Sequence, residues 1–326
     1  MNEPSVMVLT ASMLIAGTLL GATASGTLLA RLPWQPRRAV PWNGWDVLIV
    51  LGAYVLLFGT LALAARWGLG IRFDVGKRFA PAGAQAAGST GADRAGGGNS
   101  AQQKHPSQQE KTALHPLLVA LGRRHQPGTL LLCGFMAVLV APLSEEFFFR
   151  LLLQGWLEAL ERRRRKRLRR LRWMLPGLLP VVVVSLLFAS GHFRKEETLP
   201  EPVDILLALT VLDGVARLLS VAFAVAYLRS YRRATAADLG WVPEKLPRDL
   251  ALGLAAIACC LPLLLSVQAA VGIFLKRVAA DPFTLFFFAI VAGVLYIRTH
   301  RIVPSIAMHV AFNGMMLAAA WYLLKV

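Results

Sequence analysis

Eight apolar windows divide this chain, at roughly 7–30, 45–66, 128–160, 177–193, 205–229, 249–275, 283–298 and 303–324. Most hold about 20 residues, enough for a helix to cross ~30 Å of hydrocarbon. In lipid every backbone N–H and C=O must find a partner within the protein, which leaves helices and closed barrels as the spanning structures. The apolar runs are continuous and do not alternate with period two, so a porin-like barrel is disfavoured. The expected fold is therefore all-α, a polytopic transmembrane bundle of about eight spans. Composition agrees: 56% of the chain is hydrophobic and 16% charged, against ~25% charged in an ordinary soluble domain.

A formal charge of +17 would suggest nucleic acid in a soluble protein. Here the basic residues sit between the apolar windows, where retention of positive loops in the cytoplasm explains them without nucleic acid. The odd-numbered loops carry most of them, among them nine Lys or Arg between Arg162 and Arg172, so these loops are expected in the cytoplasm and both termini outside. The loop 162–172 is expected to rest on anionic lipid, each charge near the surface contributing about 1 kcal/mol. Residues 1–66 form a two-span N-terminal membrane unit. Residues 67–127 follow as a mostly disordered linker whose Gly, Ala, Ser and Gln cannot bury enough apolar surface to order it. The remaining domain covers 128–326. The leader Met-Asn-Glu-Pro-Ser-Val lacks the basic region of a signal peptide, so the first window is read as a retained span. Cys133, Cys259 and Cys260 have no metal-binding or disulfide spacing.

The chemistry lies in polar residues that interrupt the apolar windows. Each ionisable group in mid-membrane costs at least ~2.5–3.5 kcal/mol. In Ser144-Glu145-Glu146-Phe147-Phe148-Phe149-Arg150 the two carboxylates point to different helix sectors, about 100° apart. Glu146 and Arg150 have the i,i+4 spacing of a pair on one face, which leaves Glu145 free for another task. Phe188-Ala-Ser-Gly-His192 closes the fourth window. If the basic loop joins two antiparallel helices, Glu145 and His192 stand at similar height, roughly 24 Å above the turn, where a carboxylate and an imidazole could meet. His309-Val-Ala-Phe-Asn313 puts an imidazole and an amide on one face of the last helix. Asp213 and Arg217, again i,i+4, read as a structural pair.

These residues resemble the CPBP family of intramembrane proteases, the Abi or type II CAAX-prenyl endopeptidase group. The family motifs Glu-Glu-x-x-x-Arg, Phe-x-x-x-His and His-x-x-x-Asn/Asp correspond here to Glu145–Arg150, Phe188–His192 and His309–Asn313, within about 128–324. One departure is the separation of His192 from His309. Some 75 residues near 205–280 look inserted, adding two spans. An even number of added spans preserves the direction of the helices that follow.

The resemblance implies an intramembrane endopeptidase acting on membrane-associated protein or peptide substrates. Glu145 with His192 would activate water, His309 and Asn313 would polarise the scissile carbonyl, and Glu146, Arg150 and Phe188 would support them. Alternatively Glu145, His192 and His309 would ligate a divalent metal such as zinc, with an open position for water. The expected location is the cell membrane of a bacterium. Two other classes stay open at this point: a non-catalytic scaffold or inactive homologue, and a proton-coupled transporter.

Overall fold

The computed structural model describes residues 3–32, 40–68, 127–165, 175–192, 203–274 and 281–324. All regular secondary structure among them is helical, as the apolar windows require. The linker and most of the basic loop 162–172 lie outside the described residues.

The helices are α1 (Glu3–Arg31), α2 (Gly44–Gly68), α3 (127–165, with π-helical stretches), α4 (Leu178–Ser190), α5 (Val203–Tyr231), α6 (Leu246–Phe274), α7 (Asp281–Thr299) and α8 (Val303–Leu324). Six are long and apolar enough to cross a membrane, while α4 and α8 have shorter apolar stretches. The 13 residues of α4 rise only about 20 Å. Its start is fixed by Gly177 at φ +80°, whose N–H donates to the Glu161 carboxylate at 3.0 Å. This bond ties the start of α4 to the end of α3.

Packing places α5 and α6, where the sequence suggested an insertion, outside the path that joins the motifs. α4 lies along α7, and α8 lies along α6 and α7, while α3 touches α4, α5 and α8. The residues between α4 and α7 therefore do not separate these two helices. They supply α5 and α6 as neighbours on either side, and each carries one N-terminal helix: α2 runs along α5, and α1 along α6.

Helices in lipid gain little from burying apolar surface against each other and depend on close packing and polar contacts. Both devices are present. A Cβ on Gly21 of α1 would fall on the Leu263 backbone, and one on Gly253 of α6 would fall on the Pro304 carbonyl, so each glycine allows a helix to approach at backbone distance. Asp46, fully buried at the start of α2, receives the Tyr227 hydroxyl and Arg232 Nε, each at 2.8 Å. Arg301, between α7 and α8, donates to both Asp249 carboxylate oxygens at 2.7–2.8 Å. Two apolar clusters fill the rest. One is built around Trp42, Leu151, Leu228 and Tyr296, the other around Phe188, Phe288, Met308 and Phe312. The second surrounds the histidines.

Candidate active site

The site is organised by α3, which is not a uniform helix. A π stretch at Met136–Val140 precedes the α-helical Ala141–Glu146, and a second at Phe147–Gln154 follows it. π turns are rare and concentrate at functional sites. The first has a local cause: Pro142 has no N–H for the Val138 carbonyl and its ring crowds that carbonyl in α register, so the wider turn takes up the mismatch. Ala137, in this turn, has its carbonyl turned to α8, where it accepts the Asn313 amide at 2.8 Å.

Glu146 and Arg150 are fully buried and paired at 3.2 Å, and Glu146 also holds His309 Nδ1 at 3.0 Å. An ionised carboxylate only accepts, so Nδ1 carries the proton and Nε2 of a neutral His309 ring presents its lone pair on the far side. A carboxylate that fixes the tautomer and orientation of a working imidazole is a recurrent arrangement. The two Arg150 Nη atoms have no hydrogen-bond partner. Their guanidinium carbon lies 5.5 Å from the centre of the Phe188 ring, a cation–π contact that reaches ~2 kcal/mol when desolvated.

Phe188 is the common wall of the site. The His192 ring packs on it at 4.8 Å and the His309 ring edge-on at 5.8 Å. Residues from α3, α4 and α8 are thus gathered round one phenylalanine. His192 bonds through Nδ1 to the Phe188 carbonyl at 2.7 Å, which holds the imidazole against the last turn of its own helix.

Glu145 departs from expectation. It is not left free: Oε1 receives Arg217 Nη1 at 3.0 Å, while Oε2 faces His309 Nε2 at 3.9 Å. Arg217 also donates through Nε to Asp213 at 2.7 Å and through Nη1 to Ser144 Oγ at 3.4 Å. The Tyr54 hydroxyl of α2 donates to the other Asp213 oxygen at 2.6 Å. The Asp213–Arg217 pair, read from its spacing as structural, is therefore bonded to Glu145. Its spacing showed the pair but not the third partner, which lies 72 residues away in sequence. Nothing in the sequence pointed to Tyr54.

The depth match between Glu145 and His192 is also corrected in detail. No hydrogen bond joins these two side chains; the imidazole beside Glu145 is that of His309, because His192 is tied to its own helix by Phe188. The proposed metal set meets a related difficulty. Among the described residues no three His, Cys, Asp or Glu side chains converge as a metal-binding group. In addition, Glu145 already has a guanidinium on one oxygen, where a second cation would be repelled. As placed, Glu145, His192 and His309 do not fit a divalent ion.

The charges of the cluster are informative together. Glu145, Glu146 and Asp213 face Arg150 and Arg217, three negative groups against two positive. One proton entering this cluster brings it to neutrality, and the low-dielectric surroundings make that balance matter.

Among known protein families, the model described as type II CAAX prenyl endopeptidase Rce1-like matches residues 127–315. No curated protein and no solved structure matches the chain. The matched region begins at α3 and includes every residue of the cluster except Tyr54, together with helices α5 and α6.

Proposed function

The chain belongs to the type II CAAX prenyl endopeptidase Rce1-like family, and from that premise we propose that it cleaves peptide bonds of membrane-associated protein or peptide substrates with a water activated by Glu145. The observation that carries this reading is convergence. Three motifs on three helices, far apart in sequence, meet at Phe188, with Glu145 and His309 facing one another across 3.9 Å. A polar gap beyond 3.5 Å is one that water can bridge.

In the proposed reaction the water stands at Glu145 Oε2 and His309 Nε2. Glu145 removes its proton as the oxygen attacks the scissile carbonyl, and the cluster absorbs that proton because it carries one surplus negative charge. A general base of this kind contributes about 10²–10⁴-fold. Glu146 and Arg150 hold the His309 ring in register and act through it. Asn313 has one amide N–H on Ala137 and a second for a developing oxyanion, a contribution of ~2.7–4 kcal/mol where such donors have been removed. His192 packs on Phe188 and is assigned to polarising the substrate or relaying the proton to the leaving amine.

The test is cleavage of a farnesylated CAAX peptide, together with comparison of membrane proteomes from cells carrying wild-type or Glu145→Gln protein. Substrates that accumulate only with Glu145→Gln support the reading. Undiminished cleavage by Glu145→Gln would sink it. Titration with a chelator addresses the metal separately: loss of activity restored by zinc overturns the metal-free form of the mechanism and leaves the protease reading in place.

A further inference from the structure

We propose that Tyr54, Asp213 and Arg217 form a positioning relay that sets the place of the Glu145 carboxylate, so that the N-terminal helix α2 is a working part of the site. This rests on reading Glu145 as the base.

The relay is a chain of consecutive bonds. The Tyr54 hydroxyl takes one Asp213 oxygen at 2.6 Å; the other takes Arg217 Nε at 2.7 Å; and Arg217 Nη1 then reaches Glu145 at 3.0 Å. Each bond restricts the next. Tyr54 fixes the Asp213 carboxylate, the carboxylate fixes the plane of the guanidinium, and the planar fork directs Nη1 at one oxygen of Glu145. The other oxygen is left turned to His309. A guanidinium holds two acceptors in a rigid geometry that an ammonium cannot reproduce.

The surroundings favour positioning over simple charge compensation. The charged or titratable groups around Glu145 include Glu146 and Arg150 on its own helix, Arg217 and, through it, Asp213 on α5, and His309 on α8. Arg150 is bonded to Glu146, so Arg217 is the cation that bonds Glu145. Side-chain exposure rises along the line, from 15% at Glu145 to 25% at Arg217 and 34% at Asp213. This places the relay on the more open flank of the site. Tyr54 stands outside the matched family region, on a helix that contributes no motif. A second polar contact, Asp46 with Tyr227 and Arg232, joins α2 to α5 nearer the end of the bundle and provides an internal control.

Labelling with a hydrophobic carbodiimide tests the relay without requiring proteolysis. The reagent attacks a carboxyl that carries a proton and is not held by a cation, and mass spectrometry reports modification of Glu145. In the full-length protein in liposomes, Arg217→Gln should speed labelling of Glu145 about tenfold, the loss of one close opposite charge. Tyr54→Phe should speed it about threefold, the loss of one hydrogen bond, and Arg217→Lys should fall between. Asp46→Asn, which loosens the same helix pair elsewhere, should leave labelling unchanged. Thermal melts and gel filtration identify folded variants; if Arg217→Gln does not fold, Arg217→Lys and Tyr54→Phe decide. Labelling within twofold of wild type in the folded relay variants overturns the proposal, as does equal acceleration by Asp46→Asn. Where the protein cleaves the farnesylated peptide, Tyr54→Phe should lower kcat about threefold with KM unchanged, an effect absent on an Arg217→Gln background. A positive labelling result without cleavage keeps the relay and removes the protease reading.

Discussion

Glu145 and Glu146 are adjacent in sequence yet belong to two different electrostatic regions. Glu146 lies in a sealed region with Arg150 and His309, each almost wholly buried, where every contact is fixed by packing. Glu145 lies in a graded region that becomes more exposed through Arg217 to Asp213, where the Tyr54 hydroxyl closes it. The difference follows from their angular separation of about 100° on one helix. One carboxylate turns inward to α8 and the other sideways to α5. The contrast fits the division of labour in the proposed mechanism: groups that hold geometry are enclosed, and the proposed base retains an open flank.

The strongest way to break this comparison is to remove the charge of the open carboxylate. Glu145→Gln should reduce kcat for peptide cleavage by about 10²–10⁴-fold while the thermal midpoint stays near wild type, because Arg217 keeps Asp213. A comparable loss of activity from a general collapse would appear as a lower midpoint. Next is the sealed region. Arg150→Met leaves Glu146 buried without its cation and should cost about 3–5 kcal/mol of stability, read as a lower denaturation midpoint in detergent. The double variant Glu146→Leu with Arg150→Met should recover much of that stability and none of the activity, since His309 loses its orienting carboxylate.

The histidines sharpen the comparison further. His309→Ala removes the imidazole shared by both regions and should lower kcat about 10²-fold or more. His192→Ala should cost less, because no hydrogen bond ties His192 to either carboxylate. Equal losses in parallel kinetic assays would show that His192 moves onto Glu145 when substrate is bound. The smallest effect is expected outside the site. Asp249→Asn weakens the buried pair with Arg301 and should lower stability by about 1–3 kcal/mol, with kcat unchanged at a temperature where the variant is folded.

Much of this architecture was legible in the chain before any coordinates. Spans read at 45–66 and 303–324 correspond to Gly44–Gly68 and Val303–Leu324, because apolar length is a local property. The Glu146–Arg150 pair was legible for the same reason, as a spacing on one helix. What was not legible depends on partners far apart in sequence. Periodicity puts Glu146 on a face but does not say that the face meets His309, 163 residues later. Asp213 and Arg217 announced each other and concealed Glu145. The π turns were hidden too, since Pro142 signals a disturbance of the helix without stating which register resolves it.

Those π turns have a consequence for changes in chain length. Each takes up about one extra residue by underwinding, so a helix one residue shorter that reverts to α at Met136–Val140 keeps its flanks in nearly the same rotational register. Deleting a residue from the α-helical Ala141–Glu146 instead rotates one flank against the other by about 100°. Deletion scanning across α3 should therefore find its most damaging positions between the two turns, at the glutamates, and milder effects within Met136–Val140. Point substitutions at exposed apolar sites such as Leu139 should pass with little effect. For this helix, counting residues matters as much as choosing them.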